Sequence, residues 1–146
     1  MNPLLTLSLC ALVLILGIQA EDVAPSKIIM FNSETSKTEI FDNPIKKQAL
    51  FFTDETQSHH DPTMRMFEAM SEEFAGVLLV IRIPFSETEY VKHFHVDEAS
   101  LPALFAIDMT EGMKKIPYGG DVQDVEVTHG FVSAFANQKL VGKNEL

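Results

Sequence analysis

The sequence predicts an α/β domain: a mixed central sheet with helices on both faces. Three observations support this. Short, nearly continuous apolar runs at Ala49–Thr53, Val77–Ile83 and Ala103–Ile107 suit strands buried on both sides. Helical patterns lie between them, which is the alternation that builds a parallel sheet. The last apolar run is followed by a turn at Met109–Gly112 and a further strand at Lys114–Tyr118, so the sheet ends in an antiparallel hairpin. A chain of 146 residues has room for one such domain.

Each element has a local reason. Ile28–Phe31 is a short apolar strand, and the turn-rich stretch Ser33–Phe41 holds a short helix. Asp42-Asn43-Pro44 is turn chemistry leading into the strand at Ala49–Thr53. Asp54 to His60 is polar and reads as a solvated loop. Asp61 suits a helix cap and Pro62 a first helical position. Met66, Phe67, Met70 and Phe74 then recur at helical spacing until Gly76. Val77–Ile83 is the strongest strand, ended by Pro84. Ser86 and Glu89 form a capping-box pattern for a helix through His95. The last helix is expected over Glu126–Leu140, with Val127, Phe131, Ala134 and Phe135 on its inner face. The element order is β-α-β-α-β-α-β-β-α.

The two ends carry a different signal. Residues 1–20 contain no charged side chain, and an apolar run from Leu4 to Ile18 ends before Ala20 and the acidic pair Glu21-Asp22. This is the pattern of a secretory signal peptide cut after Ala20, too short for a bilayer-spanning helix, so no stable membrane insertion is expected after cleavage. The C-terminal Lys143-Asn144-Glu145-Leu146 differs by one residue from the Lys-Asp-Glu-Leu signal recognised by a retrieval receptor. Together they imply residence in the lumen of the endoplasmic reticulum. The organisation is then a signal peptide at 1–20, one domain at 21–142 and a retrieval signal at 143–146.

Charge and cysteine content exclude whole classes of function. Eleven Lys and Arg against 21 Asp and Glu leave a net charge of −10, which argues against a nucleic-acid partner. The only cysteine is Cys10, inside the leader. The domain therefore has no thiolate for disulfide exchange, no CxxC centre and no cysteine zinc site. No cofactor is expected.

The element order, with Leu101-Pro102 just before a strand and hairpin, resembles a thioredoxin-like fold. Local sequences bring the likeness closer. Glu39-Ile40-Phe41-Asp42-Asn43-Pro44-Ile45-Lys46-Lys47-Gln48-Ala49-Leu50-Phe51-Phe52, Phe74-Ala75-Gly76-Val77-Leu78-Leu79-Val80-Ile81, Val91-Lys92-His93-Phe94 and Leu101-Pro102-Ala103-Leu104 resemble the b′ domain of the protein disulfide isomerase family. The likeness covers nearly all of residues 27–143. It implies a redox-inactive domain that binds unfolded polypeptides through a hydrophobic pocket. By that resemblance the pocket residues are Phe41, Ile45, Ala49, Phe94 and Leu101, and Pro102 is the cis-proline candidate. In catalytic relatives the redox pair opens the helix after the second strand; here that place holds Gln57-Ser58-His59-His60-Asp61-Pro62.

The leading expectation is a non-catalytic, chaperone-like binder of unfolded polypeptides. Alternatives are an acidic, low-affinity calcium-binding protein, although the carboxylates are dispersed, and an adaptor docking onto a catalytic disulfide isomerase. His59 and His60 lack a third metal ligand fixed by spacing, so no metal site is expected. Arg82 stands out. It shares a strand face with Leu78 and Val80, where a guanidinium must reach the strand end or pair with a carboxylate.

Overall fold

The computed structural model describes residues 28–34 and 36–137. The expected leader, the retrieval tetrapeptide and the end of the last helix lie outside the described residues. Strands β1 (Ile29–Met30), β2 (Lys47–Thr53), β3 (Leu79–Pro84), β4 (Ala103–Asp108) and β5 (Lys114–Pro117) form one sheet in the order β1-β3-β2-β4-β5. β1 and β2 run parallel to β3, whereas β4 is antiparallel to both β2 and β5. The mixed sheet is as the alternation and final hairpin require.

Both faces of the sheet are buried, which is why β2 and β3 read as unbroken apolar runs. Side chains alternate between two cores. One contains Ala49, Phe51, Leu78, Val80, Leu104 and Ala106, covered by Met66, Phe67 and Met70 of helix α2 (His60–Glu73) and by Val132 and Phe135 of helix α4 (Val125–Ala136). The Phe51 and Phe67 rings stack at 4.1 Å with 9° between their planes. The other core holds Leu50, Phe52, Leu79, Ile81, Ile83 and Ile107, covered by Ile40 from helix α1 (Lys37–Phe41) and by Val91 and Phe94 at helix α3 (Thr88–His93). α1 is a π-helical turn, closed by Asp42 N–H donating to the Lys37 carbonyl at 2.9 Å.

Several boundaries differ from the sequence expectation. α2 begins one residue before Asp61, with His59 at the cap position, so Asp61 is a first-turn acid rather than the cap. Pro62 still fits: the first helical donor is Thr63 N–H, to His59 O at 3.2 Å, and the missing proline N–H removes no helical bond. Gly76 has φ +85°, the left-handed geometry that ends the segment. α3 is capped by Glu87 without a side-chain bond, because Ser86 is used in the turn leaving β3, its carbonyl accepting from Thr88 N–H. The capping box of Ser86 and Glu89 does not form.

α4 is rotated from the expected face. It buries Thr128, Val132, Phe135 and Ala136, leaving Val127 53 % exposed. The reason is Thr128, whose hydroxyl donates to the Val122 carbonyl at 3.0 Å and is thereby satisfied inside the core. Phe131 packs on Tyr118, with ring centroids 4.8 Å apart. His95 lies beyond α3 in the left-handed region, at φ +56°, and not on the helix.

Candidate functional site

Two regions carry the chemistry-bearing side chains. The first is the junction between the C-terminal end of β2 and the start of α2. The Asp54–His60 segment crosses from the sheet to the helix here; Glu55, Thr56 and Ser58 are exposed, as a solvated loop requires, whereas His59 turns inward. His59 is 8 % exposed, and its Nε2 accepts from the Asp54 backbone N–H at 3.2 Å. That bond requires an unprotonated Nε2, so the neutral imidazole carries its proton on Nδ1. Burial pushes the His59 pKa below its usual value, with the nearby Asp54 charge opposing and His60 adding to the effect.

Arg82 is the other surprise at this junction. It neither snorkels to solvent nor meets a carboxylate: it is 3 % exposed, its Nε donates to Thr53 Oγ1 at 2.8 Å, and its terminal nitrogen reaches Thr53 O at 3.3 Å. Burial lowers its pKa, opposed by the charges of Glu55 and Asp54. Thr53 Oγ1 also lies 3.0 Å from His60 Nδ1. The hydroxyl accepts from the guanidinium and has one proton left to donate, which suits an unprotonated Nδ1 on His60. Arg82, Thr53 and His60 thus form a continuous hydrogen-bonded chain, buried at Arg82 and Thr53 and half-buried at His60. Asp54 accepts from the Thr56 N–H and hydroxyl at 3.0 and 2.7 Å, and these bonds hold its carboxyl below the usual range. Among the described residues no group of three or more His, Cys, Asp or Glu side chains is placed to hold a metal.

The second region is the outer edge of the core beneath α1 and α3. Phe94 sits 5.5 Å from Phe52 and 5.0 Å from Phe105, and Phe52 and Phe105 lie 5.9 Å apart. Ile45, Leu101, Ala103, Phe105 and Met109 pack against this cluster but stay half-exposed. Leu101-Pro102 is cis. Lys115 Nζ lies over the Phe94 ring, 5.0 Å from its centroid. Gln48, opposite Ile107 in the register, is buried with its amide nitrogen unpartnered.

Of the five residues expected in the pocket, three meet here: Ile45 and Leu101 at the edge, Phe94 beneath them as a buried side chain. Phe41, at the end of α1, is 41 % exposed. Ala49 does not join them. Strand alternation places it in the core under α2 and α4, on the far side of the sheet. Phe105, Ala103 and Met109 were not expected. Their signal is the same alternation: Ala103, Phe105 and Ile107 share one face, the face of Leu50 and Phe52 once the β2–β4 register is known.

A family model for a thioredoxin-like domain matches residues 26–138. The chain belongs to the thioredoxin-like domain family. No curated protein matches it by sequence. Solved structures share the fold. Thioredoxin from Trichomonas vaginalis superposes with a TM-score of 0.62 at 17 % identity, covering 76 % of this chain and 99 % of that one. The J-Trx1 fragment of ERdj5 gives 0.60 at 18 % identity over 78 % of this thioredoxin-like chain and 52 % of the fragment, so the chain spans about half of that fragment's length. The zinc-bound form of human ERp44 gives 0.53 at 10 % identity, covering 75 % of this chain and 28 % of that one. In this thioredoxin-like domain the start of α2 presents His59 and His60, both hydrogen-bonded inward, and no thiol.

Proposed function

We propose that this thioredoxin-like domain is a non-catalytic polypeptide binder of the endoplasmic reticulum lumen, of the b′ type in the protein disulfide isomerase family. The observation that carries the reading is the half-exposed apolar edge formed by Ile45, Leu101, Ala103, Phe105 and Met109 over the Phe52–Phe94–Phe105 cluster. An extended, unfolded segment that laid an apolar side chain there would remove hydrocarbon from water on both partners, at about 25 cal/mol per Å² before association costs. A flexible client with many such side chains would bind weakly and reversibly, as a holding function needs.

The absence of cysteine after residue 20 supports the non-catalytic part, since thiol–disulfide exchange requires a thiolate. The apolar stretch Leu4–Ile18 and the Lys143–Leu146 tetrapeptide support the lumenal address. Titration of a fluorescent peptide rich in Phe and Leu against the protein tests the reading. Saturable binding that weakens in Leu101→Ser and Met109→Ser is the expected result. Both sites are partly exposed, so loss of binding there is separable from unfolding. A wild-type protein that binds no such peptide would reject the proposal.

A further inference from the structure

Resting on the reading that the Phe94–Phe105 edge holds extended polypeptides, we infer that it selects segments in which an apolar side chain is flanked by a carboxylate, and that Lys115 makes the selection. β5 brings three features together. Lys115 pairs with Ile107 in the β4–β5 register, so its side chain stands on the face that carries Phe105 and Ile107. Its ammonium is held over the Phe94 ring, 5.0 Å from the centroid, directly beside the apolar edge. The neighbouring cations are already answered on the other face. Asp108 lies opposite Lys47 and Lys114 in the register, and Lys47 Nζ also donates to the Phe135 and Ala136 carbonyls at 3.0 and 3.2 Å. The Asp108 carboxyl, which burial pushes up, is brought below its usual range by Thr110 hydrogen bonds and by the charges of Lys47 and Lys114.

Among the described residues no lysine or arginine forms an ion pair with a carboxylate, and Lys115 is set apart by its place, over the Phe94 ring at the apolar edge. The chain as a whole carries −10, so its mean field repels acidic ligands. A cation held at the rim of the apolar surface therefore gives a local preference opposed to the global one. A bound apolar side chain would also shield the pair from water and strengthen the attraction. The occupant is an extended segment with a Phe or Leu anchor and an adjacent Asp or Glu.

The test uses the full chain and three labelled peptides of one sequence, in which a single Phe is followed by Glu, Gln or Lys, with binding read by fluorescence anisotropy at low ionic strength. The Glu peptide should bind about two- to five-fold more tightly than the Gln peptide, the range of an exposed ion pair, and the Lys peptide should be weakest. The preference should shrink as salt is added. It should vanish in Lys115→Gln and persist in Lys115→Arg; Lys115 is exposed, so neither change disturbs the core. Equal affinity for the Glu and Gln peptides overturns the selection while leaving peptide binding intact. No binding of any of the three removes the peptide site and the selection with it. An affinity that falls as protein concentration rises would mean that a second copy covers the surface, and would overturn the assignment.

Discussion

Arg82 donates its Nε–H to the hydroxyl of Thr53 at 2.8 Å, and both side chains are buried, at 3 % and 0 % exposure. A charged group is held inside the sheet by a neutral acceptor from the adjacent strand. The arrangement predicts a marked asymmetry between the two residues. Thr53→Val keeps the shape and the carbonyl that accepts from the Arg82 terminal nitrogen, but leaves the buried Nε–H and the His60 ring without their hydroxyl partner, and should cost about 2–3 kcal/mol. Arg82→Met removes the charge with its desolvation cost and should be cheaper, about 1 kcal/mol or less. The double variant should be more stable than Thr53→Val alone. Urea unfolding of the three proteins checks this; additive losses would show that the two side chains do not depend on each other.

This pair also shows how much of the fold and site is legible in the sequence. β2, β3 and β4 are, because burial on both faces makes each a run of apolar residues that needs no partner to be recognised. Arg82 breaks such a run, and its resolution lies 29 positions away in Thr53, beyond any local pattern. Thr128 misleads in the same way: a hydroxyl satisfied by the Val122 carbonyl passes for a solvent-facing residue, and the inner face of α4 is then misplaced by about one position. Ala49 is misassigned to the site because the strand period is two, and neighbouring residues belong to different cores. The α2 start is read as solvated because its polarity is evident, while the inward bonds of His59 and His60 depend on tertiary placement.

His59 makes stability depend on pH. Its folded pKa is depressed, so the unfolded chain binds the proton more readily. The contribution is therefore fully present above the unfolded value of about 6.5 and is lost as pH falls through that value toward the lower folded one. Protonation of Nε2 would also remove the acceptor of the Asp54 N–H. Urea midpoints measured from pH 8 to pH 5 should fall on acidification. In His59→Gln, whose amide oxygen can accept the same bond without titrating, the fall should be shallower. An identical pH profile in the variant would contradict the assignment.

His95 closes α3 in a conformation that suits glycine. The Val96 N–H donates to Val91 O at 2.9 Å and the His95 N–H to Lys92 O at 3.1 Å, with Val91 and Val96 packed in the same core. This is a Schellman ending, with His95 at the left-handed position and φ +56°. A non-glycine residue there costs about 1–2 kcal/mol. Glycine's larger unfolded-state entropy takes back roughly half of the gain. His95→Gly should therefore raise stability by about 0.5–1 kcal/mol, read as a higher melting temperature with an unchanged fold. A lower melting temperature would mean that the histidine side chain contributes something the backbone argument omits.

Tyr118 and Gly120 make a close contact that predicts opposite effects for two small changes. A Cβ added at Gly120 would lie 2.5 Å from the Tyr118 hydroxyl oxygen and 2.6 Å from its ring carbon Cζ. The ring has little room to withdraw, because it packs on Phe131 and against the core that contains Phe135 and Val132. Gly120→Ala should then cost about 1–3 kcal/mol, the range for overpacking a filled site. The Tyr118 hydroxyl is buried and has no hydrogen-bond partner, so Tyr118→Phe removes an unsatisfied group and should be neutral or slightly stabilising. Combining the two should recover part of the loss, since the nearest atom is gone while Cζ remains. Thermal unfolding of the single and double variants measures the recovery. A double variant no better than Gly120→Ala would place the cost in the Gly120 backbone rather than in its contact with the ring.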